Sequence, residues 1–367
     1  MNNESENKHP NKYFVCIKNQ LPVEWNPCSK EPMFGVDPTF FTTFLKSNYF
    51  TYFSKVFAEM EEHLESGEIT FYLARSDVKS LPTNDKNTIA IVVGDEWCRI
   101  PTYAHKLKAT FKCYGIEPTI GCNTILNPSY LNFLALIQFV RNWFMRLPSV
   151  AHYILQKGLS IFLPNDFEHP IYDIPLGYAN QLDLPIKDID QRLYDTSFLG
   201  SVSHREYAVW SLKNWIKTPK QFSRERMIAS LNKIIKKHPD FKVELSFTPD
   251  FGASLNTDAY LYSEKMMNTK ICLIPRGTSF ETFRFFEAIR YGCIAITEAL
   301  PSRWFYDGCP AIQLTDWQEL ELALENLLDD HKLMQQKSQE SLNWWNTKCS
   351  EKSVGYYMAQ KINQLQE

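Results

Sequence analysis

Apolar and polar positions follow two alternating rhythms along this chain. Short, continuous apolar runs at Tyr13–Ile17, Ile69–Leu73 and Thr88–Val93 have the length and residue types of buried strands. Between and after them, Thr39–His63 is rich in aromatics and reads as helical, and Thr102–Tyr114 has a helical pattern closed by Gly115. The alternation resumes further on. Strands are predicted at Thr196–Leu199, Phe241–Phe247, Ile271–Ile274 and Cys293–Thr297, and helices at Arg224–Lys237, Asp258–Asn268 and Ser279–Tyr291, with a last helical set starting near Asp316. Buried strands alternating with helices predict parallel α/β sheets. The two series are separated by Ile171–Arg192, where Pro175, Gly177 and Pro185 interrupt the rhythm and mark a linker. Leu131–Leu147 is apolar apart from a few positions, Arg141 and Arg146 among them. It is expected to be a buried helix of the first domain, the alternative being a helix laid against a membrane.

Length agrees with this division, since 367 residues suit two domains. The resulting boundaries are a disordered tail at 1–12, a first Rossmann-like domain at 13–178, a linker at 179–191 and a second such domain at 192–349. Composition, with 44% hydrophobic and 22% charged residues, is that of a globular protein. A net charge of −3 argues against a nucleic-acid binder, which needs a broad basic field. Nine cysteines without a CxxC pair, several inside apolar runs, read as reduced thiols packed as small hydrophobes in a cytoplasmic protein. Scattered histidines give no metal-ligand spacing, so no metal is expected. Met1–Lys12 is polar and lacks a signal-peptide core, and no run of 18 apolar residues occurs. The expectation is a cytoplasmic protein, at most peripheral on the inner membrane face.

Ligands of parallel sheets bind beyond the carboxyl ends of the strands, which directs attention to the loops after Val93, Leu199, Ile274 and Thr297. The segment Cys272–Ile296 is the most informative of these. Its strand ends in Pro275–Arg276–Gly277, and a helix is expected at once, with Thr278 or Ser279 as N-cap and Glu281 at capping-box distance from Thr278. A helix N-terminus attracts phosphate, and Arg276 and Arg284 add forked donors that match phosphate oxygens. Glu287, one turn further on, has the reach to accept from two vicinal ribose hydroxyls. Arg284 and Glu287 pairing on one helix face, with Thr278 and Glu281 only capping it, is the simpler alternative.

The block Pro275–Arg276–Gly277, Phe283–Arg284–Phe285, Glu287–Ala288 and Cys293–Ile294 resembles the C-terminal half of the exostosin family of inverting GT-B glycosyltransferases. Ile174–Gly177, Arg192 and Ser197–Ser201 resemble that family's passage into its second domain, and Tyr262–Lys270 its lead-in helix. The likeness covers about Asp173–Thr297, with Ala295 standing where the family generally has proline. It implies two facing Rossmann-like domains around a cleft, with 350–367 packing back on the first. It also implies transfer of a sugar from a nucleotide diphosphate, usually UDP, with inversion and without a metal or other cofactor. Arg276 and Arg284 would hold the diphosphate and Glu287 the ribose. Gly200 and Ser201 would form the facing loop, with Gly277, Thr278 and Ser279 completing the donor site; His204 and Arg205 are lesser candidates. The acceptor would be a glycan or a lipid-linked sugar.

An inverting transfer needs a base on the acceptor side. Asp95 and Glu96 follow Gly94 at the end of a predicted buried strand and are the candidates, with Asp95 slightly favoured. Capping a helix near Thr102 or pairing with Arg99 is the alternative role for them. His105 and Asp166 are outsiders, and Trp97 and Trp304 are candidates to stack on acceptor sugars. Two rival functions are a polyol-phosphate transferase using a CDP donor and an inactive GT-B scaffold or glycan-binding module. Paired histidines would favour the first rival, and Cys272–Ile296 has none.

Overall fold

The computed structural model describes residues 11–16, 21–25, 27, 49–65, 67–121, 128–160, 169–179, 181–201, 218–248 and 258–365. Two sheets organise them. The first contains β1 (Lys12–Cys16), β2 (Val23–Glu24), β3 (Thr70–Arg75), β4 (Thr88–Val93), β5 (Ala109–Lys112) and β6 (Ile171–Asp173), in the order β2-β1-β3-β4-β5-β6. Only the β1–β2 pair is antiparallel. The second contains β7 (Tyr194–Ser201), β8 (Val243–Thr248), β9 (Thr269–Ile274), β10 (Ile294–Thr297) and β11 (Ile312–Gln313), all parallel, in the order β11-β10-β9-β7-β8. Both are Rossmann-like α/β layers, and strands such as β4 and β10 are largely apolar because both faces are covered. Every residue of β4 and of β10 is buried.

Strand order carries the first functional information. Among the described residues the parallel strands of the first sheet run in simple sequence, so their order never reverses. In the second sheet the chain steps from β7 out to β8, then returns past β7 to build β9, β10 and β11. The reversal leaves a crevice between the carboxyl ends of β7 and β9, the position at which open α/β sheets bind ligands.

The helices in chain order are α1 (Tyr49–His63), α2 (Tyr130–Ser160), α3 (Pro219–Lys237), α4 (Ala259–Met267), α5 (Phe283–Arg290), α6 (Leu320–Asp329), α7 (His331–Trp344) and α8 (Glu351–Asn363). Helix α3 begins with Pro219 after Thr218, whose hydroxyl accepts from the Gln221 amide, a cap fitted to the missing proline N–H. Helix α8 returns to the first sheet's side and lies on α1. The Tyr52 hydroxyl donates to the Cys349 carbonyl at 2.9 Å, and Asn363 donates to the His63 carbonyl at 2.9 Å. Closeness here requires Gly355, where a Cβ would stand 2.6 Å from the Val56 carbonyl oxygen. One apolar cluster runs from Tyr13, Phe57 and Phe71 through Leu176 and Tyr178 to Phe285, Ile289 and Met358, joining the two sheets' cores.

Two expectations need correction. Thr102–Tyr114 is not a helix: one 3₁₀ turn at Ala104–Lys106 precedes strand β5, which is buried along its whole length between β4 and β6. Sheet pairing on both edges outweighs a short stretch's helical spacing. The segment Ile171–Arg192, expected to link the domains, opens with β6, and Ile174, Leu176, Tyr178, Ala179 and Gln181 are buried. Leu131–Leu147 lies within one 31-residue helix, α2, but it is not buried all round, because many of its large apolar side chains face outward. No described helix is long and apolar enough to cross a membrane. The described cysteines form no disulfide.

Gly355→Ala is expected to lower stability by about 1–3 kcal/mol, since the added methyl must push α8 off the α1 backbone. Urea denaturation reads this directly. An unchanged midpoint would show that the two helices separate at little cost.

Candidate functional site

The crevice between β7 and β9 is walled by arginines. Strand β9 ends at Ile274, and Arg276 follows, only 2% exposed, its guanidinium 3.8 Å from the Phe280 ring centroid and donating to Gln138 Oε1 at 2.8 Å. Strand β7 ends in Gly200 and Ser201. The Arg284 side chain lies directly against Gly200, so close that a Cβ there would fall 1.7 Å from Arg284 Nη2. Any side chain at this position would displace the Arg284 guanidinium from the strand end. Arg284 also donates through Nε to the Leu199 carbonyl and stacks on Phe198 at 4.6 Å, while its buried Nη1 has no hydrogen-bond partner among the described residues.

A third arginine joins them from α3. Arg224 is buried and donates through Nη1 to Ser201 Oγ at 2.9 Å and to the Ser201 carbonyl, and through Nε to the Arg276 carbonyl at 3.3 Å. It therefore ties the ends of β7 and β9 together. Burial, and next the nearby Arg284 charge, lower its pKa to about 9, an arginine under strain from loss of water and from like charge. Glu298, just past β10, is the buried carboxylate within this group. Its Oε1 accepts from Ser223, from Trp317 Nε1 at 2.9 Å and from the Arg276 amide at 3.3 Å. An anion placed at the crevice would relieve the mutual repulsion of the arginines.

The loop Pro275–Thr282 differs from its expected form. Helix α5 begins at Phe283, four residues later than the foreseen start at Ser279, and Thr282 rather than Thr278 or Ser279 occupies the N-cap position, without a side-chain cap bond. Instead, the Gly277 amide donates to the Ser279 carbonyl at 2.9 Å, and Ser279 Oγ accepts from the Glu281 amide at 3.2 Å. Glu281 does not form a capping box. It is buried against Arg303, 2.9 Å away, which also reaches Asp173 at 3.2 Å and the Tyr114 carbonyl. A buried ion pair with Arg303 outweighs a local cap. Arg284 consequently sits in the first turn of α5, not one turn inside it.

The first domain closes the loop from the other side. Gly94 leaves β4 with φ +83°, a conformation that favours glycine, and aims Asp95 and Glu96 differently. Asp95 is buried and spent on structure: it accepts from the Arg99 amide at 2.7 Å and pairs with Arg99 Nη2 at 3.1 Å and with fully buried Lys112 at 3.2 Å. Glu96 instead is half-buried and lies near Thr278 and Ser279 of the donor loop, and burial raises its pKa above the usual carboxylate value. Gln138 of α2 completes the closure, donating to the Thr278 carbonyl.

The remaining candidates are accounted for as follows. Glu287 lies on α5, buried, with Oε1 accepting from the Ala179 amide at 2.9 Å and Oε2 from the Tyr262 hydroxyl at 2.7 Å. Trp304 stacks on Tyr357 at 4.2 Å and donates to the Asp173 carbonyl, whereas Trp97 lies under the Arg141 guanidinium at 4.4 Å. His105 packs edge-on against His152 of α2, and burial lowers its pKa. Asp166, His204 and Arg205 lie outside the described residues. Sequence reading missed Arg224, Gln138 and Glu298, which come from three separate elements and share no motif. A small cavity of about 40 Å³ opens beside Gly200, lined also by Ser246, Thr248 and Tyr262. A larger cavity, about 660 Å³, lies among Lys55, Asp183, Arg290, Trp345 and Glu351, where Lys55 and Arg290 both bond Asp183.

No protein-family model matches the chain, and no curated protein matches it. Among solved structures it is similar to the pneumococcal O-GlcNAc transferase GtfA in complex with UDP and GlcNAc, at 10% identity and a TM-score of 0.40, covering 77% of this chain and 58% of that one. It is similar to S. aureus TarM in complex with UDP, at 12% identity and a TM-score of 0.41, covering 77% and 56%. It is also similar to sucrose-phosphate synthase from Thermosynechococcus elongatus, at 10% identity and a TM-score of 0.39, covering 86% and 93%. The chain spans a little over half the length of the first two. Likeness this loose adds nothing to the site, which stands on the chain's own geometry.

The two carboxylates are expected to respond oppositely to amide replacement. Asp95→Asn leaves Lys112 buried without its ion partner and should cost about 3 kcal/mol. Glu96 has a raised folded pKa, so the folded chain holds its proton more tightly than the unfolded one, and stability falls as pH climbs from 4.5 through the raised value. Glu96→Gln removes that loss. Urea midpoints at acid and neutral pH should therefore fall less for this variant than for the wild type, and an equal fall would show the Glu96 carboxyl to be well solvated.

Proposed function

We propose that the chain is a GT-B glycosyltransferase that moves a sugar from a nucleotide diphosphate donor, UDP being the first choice, to a glycan or lipid-linked acceptor with inversion. The observation that carries this reading is the convergence of Arg224, Arg276 and Arg284 on the one crevice where strand order reverses. Guanidinium groups gathered at one pair of strand ends suit a ligand with two adjacent phosphates. The exostosin-like spacing of Arg276 and Arg284 supports the same reading.

In this proposal Arg276 and Arg284 bind the diphosphate, and Arg224 holds the two strand ends at the spacing they need. Gly200 and Ser201 let the phosphates come near backbone, and Gly277, Thr278 and Ser279 face them from the β9 loop. Glu287 anchors Tyr262 and the Ala179 amide, and ribose recognition is not assigned to it. Glu96 is the base. The acceptor hydroxyl oxygen attacks the anomeric carbon, its proton passes to Glu96, and the bond from that carbon to the diphosphate oxygen breaks on the opposite face. Charge grows on the leaving diphosphate as this happens, and the two arginines offset it, the electrostatic task on which such a step depends. A raised pKa makes Glu96 a stronger base than a solvated carboxylate. No metal has a part in the step.

Thermal shift with UDP, GDP, CDP and TDP is the first test, because a ligand of the native state raises its melting point. At least one should stabilise the wild type. Arg284→Ala should weaken that binding by roughly 30- to 1,000-fold, the effect of removing a buried charged partner worth about 2–4 kcal/mol. Glu96→Gln should keep nucleotide binding while transfer falls by roughly 10²–10⁴-fold, with activity of the wild type unaffected by chelator. Wild-type nucleotide affinity in Arg284→Ala would remove the donor site from this crevice.

A further inference from the structure

Helix α2 buries Leu131, Leu134 and Ala135 but exposes more large apolar residues than it buries. Asn132, Gln138 and Asn142 are buried, while Tyr130, Phe133, Ile137, Val140, Phe144, Leu147 and Ile154 are exposed large apolar residues. Their spacing of three and four, with Leu147 to Ile154 a full heptad, keeps them on one face of the helix. Trp143, Met145 and Leu155 widen that stripe, and Phe144, Ile154 and Leu155 are each more than 60% exposed. The polar inner positions have a use: Gln138 holds Arg276 and the Thr278 carbonyl. That leaves the outward face as the one feature of α2 that the candidate site does not explain.

Charge decides what this face is suited to meet. Tyr130–Ser160 contains no aspartate or glutamate, and its ionisable residues are Arg141, Arg146, His152 and Lys157. A second copy of the chain, docked by the same face, would bring two basic stripes together with no carboxylate on either helix to offset them. An anionic lipid surface supplies both the apolar depth and the negative charge. At about 1.5 Å per residue the helix is on the order of 45 Å long, ample to lie in the plane of an interface. It is not apolar enough to cross one.

We propose that α2 docks this protein on an anionic lipid bilayer, with the Phe133–Leu155 stripe in the acyl boundary and Arg146 and Lys157 at the headgroups. This goes beyond the proposed transfer reaction and needs none of its chemistry. Because the opposite face of α2 grips the Pro275–Thr282 loop through Gln138, a seated helix holds the arginine crevice close to the bilayer, within reach of a lipid-anchored acceptor.

Flotation of the full chain with phosphatidylcholine vesicles containing about 30% phosphatidylglycerol, beside phosphatidylcholine alone, tests the inference. Binding is expected on the anionic vesicles, weakened by salt. The combined variant Phe144→Ser, Ile154→Ser, Leu155→Ser changes only exposed residues and should retain the wild-type melting point and nucleotide response while losing binding by about tenfold or more. Arg146→Glu with Lys157→Glu should lose the preference for anionic vesicles. Absence of wild-type binding, or undiminished binding by the serine variant, would overturn the proposal. So would light scattering that shows a dimer dissociated by the serine substitutions. None of these outcomes depends on whether nucleotide binds at the crevice.

Discussion

Like charge held out of water is the constraint around which this molecule is arranged. Arg224 and Arg276 are buried and Arg284 half-buried at the ends of β7 and β9, and burial disfavours the charge on Arg224. The protein satisfies them with carbonyls from Leu199, Ser201 and Arg276 itself, with aromatic faces from Phe198 and Phe280, and with the single amide Gln138. Carbonyl dipoles and ring faces stabilise guanidinium groups without neutralising them. Glu298, which accepts from the Arg276 amide at 3.3 Å, supplies a carboxylate to the same group.

A second charged group does the opposite work. Arg303, Glu281 and Asp173 are paired, buried or nearly so, and bridge the loop after β10 to strand β6 of the other sheet. Together with the apolar cluster through Tyr178 and Phe285, and with α8 returning to α1, this joins the halves over a broad area. The cleft loops are consequently held on both sides. Glu281 fastens one end of the donor loop, Gln138 the middle, and Glu96 approaches Thr278 and Ser279 from across the gap.

Helix α2 links these features to the surface. Its inner face contributes a hydrogen-bonding amide to the arginine group, and its outer face presents an apolar, acid-free stripe. A sequence so rich in large apolar residues suggests a buried helix when read by composition alone. The difference lies in which side of the helix the neighbouring elements cover, and that depends on α3 and the Pro275–Thr282 loop, distant in sequence.

Strand and helix rhythm is local, and the sequence by itself determined it well: the strands around Thr88–Val93, Ile271–Ile274 and Cys293–Thr297 emerge because parallel strands buried on both faces must be continuously apolar. Arg276 and Arg284 were legible as well, lying eight residues apart beside a strand end. Thr102–Tyr114 misled because a four-residue strand has too few positions to show its period. The late start of α5 and the pairing of Glu281 with Arg303 depend on a partner 22 residues away across the fold. Only the tertiary structure separated Asp95 from Glu96. These neighbours are alike in sequence, yet Lys112 and Arg99 claim one carboxylate while the other crosses the cleft, because a turn at Gly94 sends adjacent side chains in different directions. Arg224 belonged to the structure alone for the same reason: it sits on a helix whose sequence carries no phosphate-binding pattern, and only the return of β9 beside β7 places it between their ends.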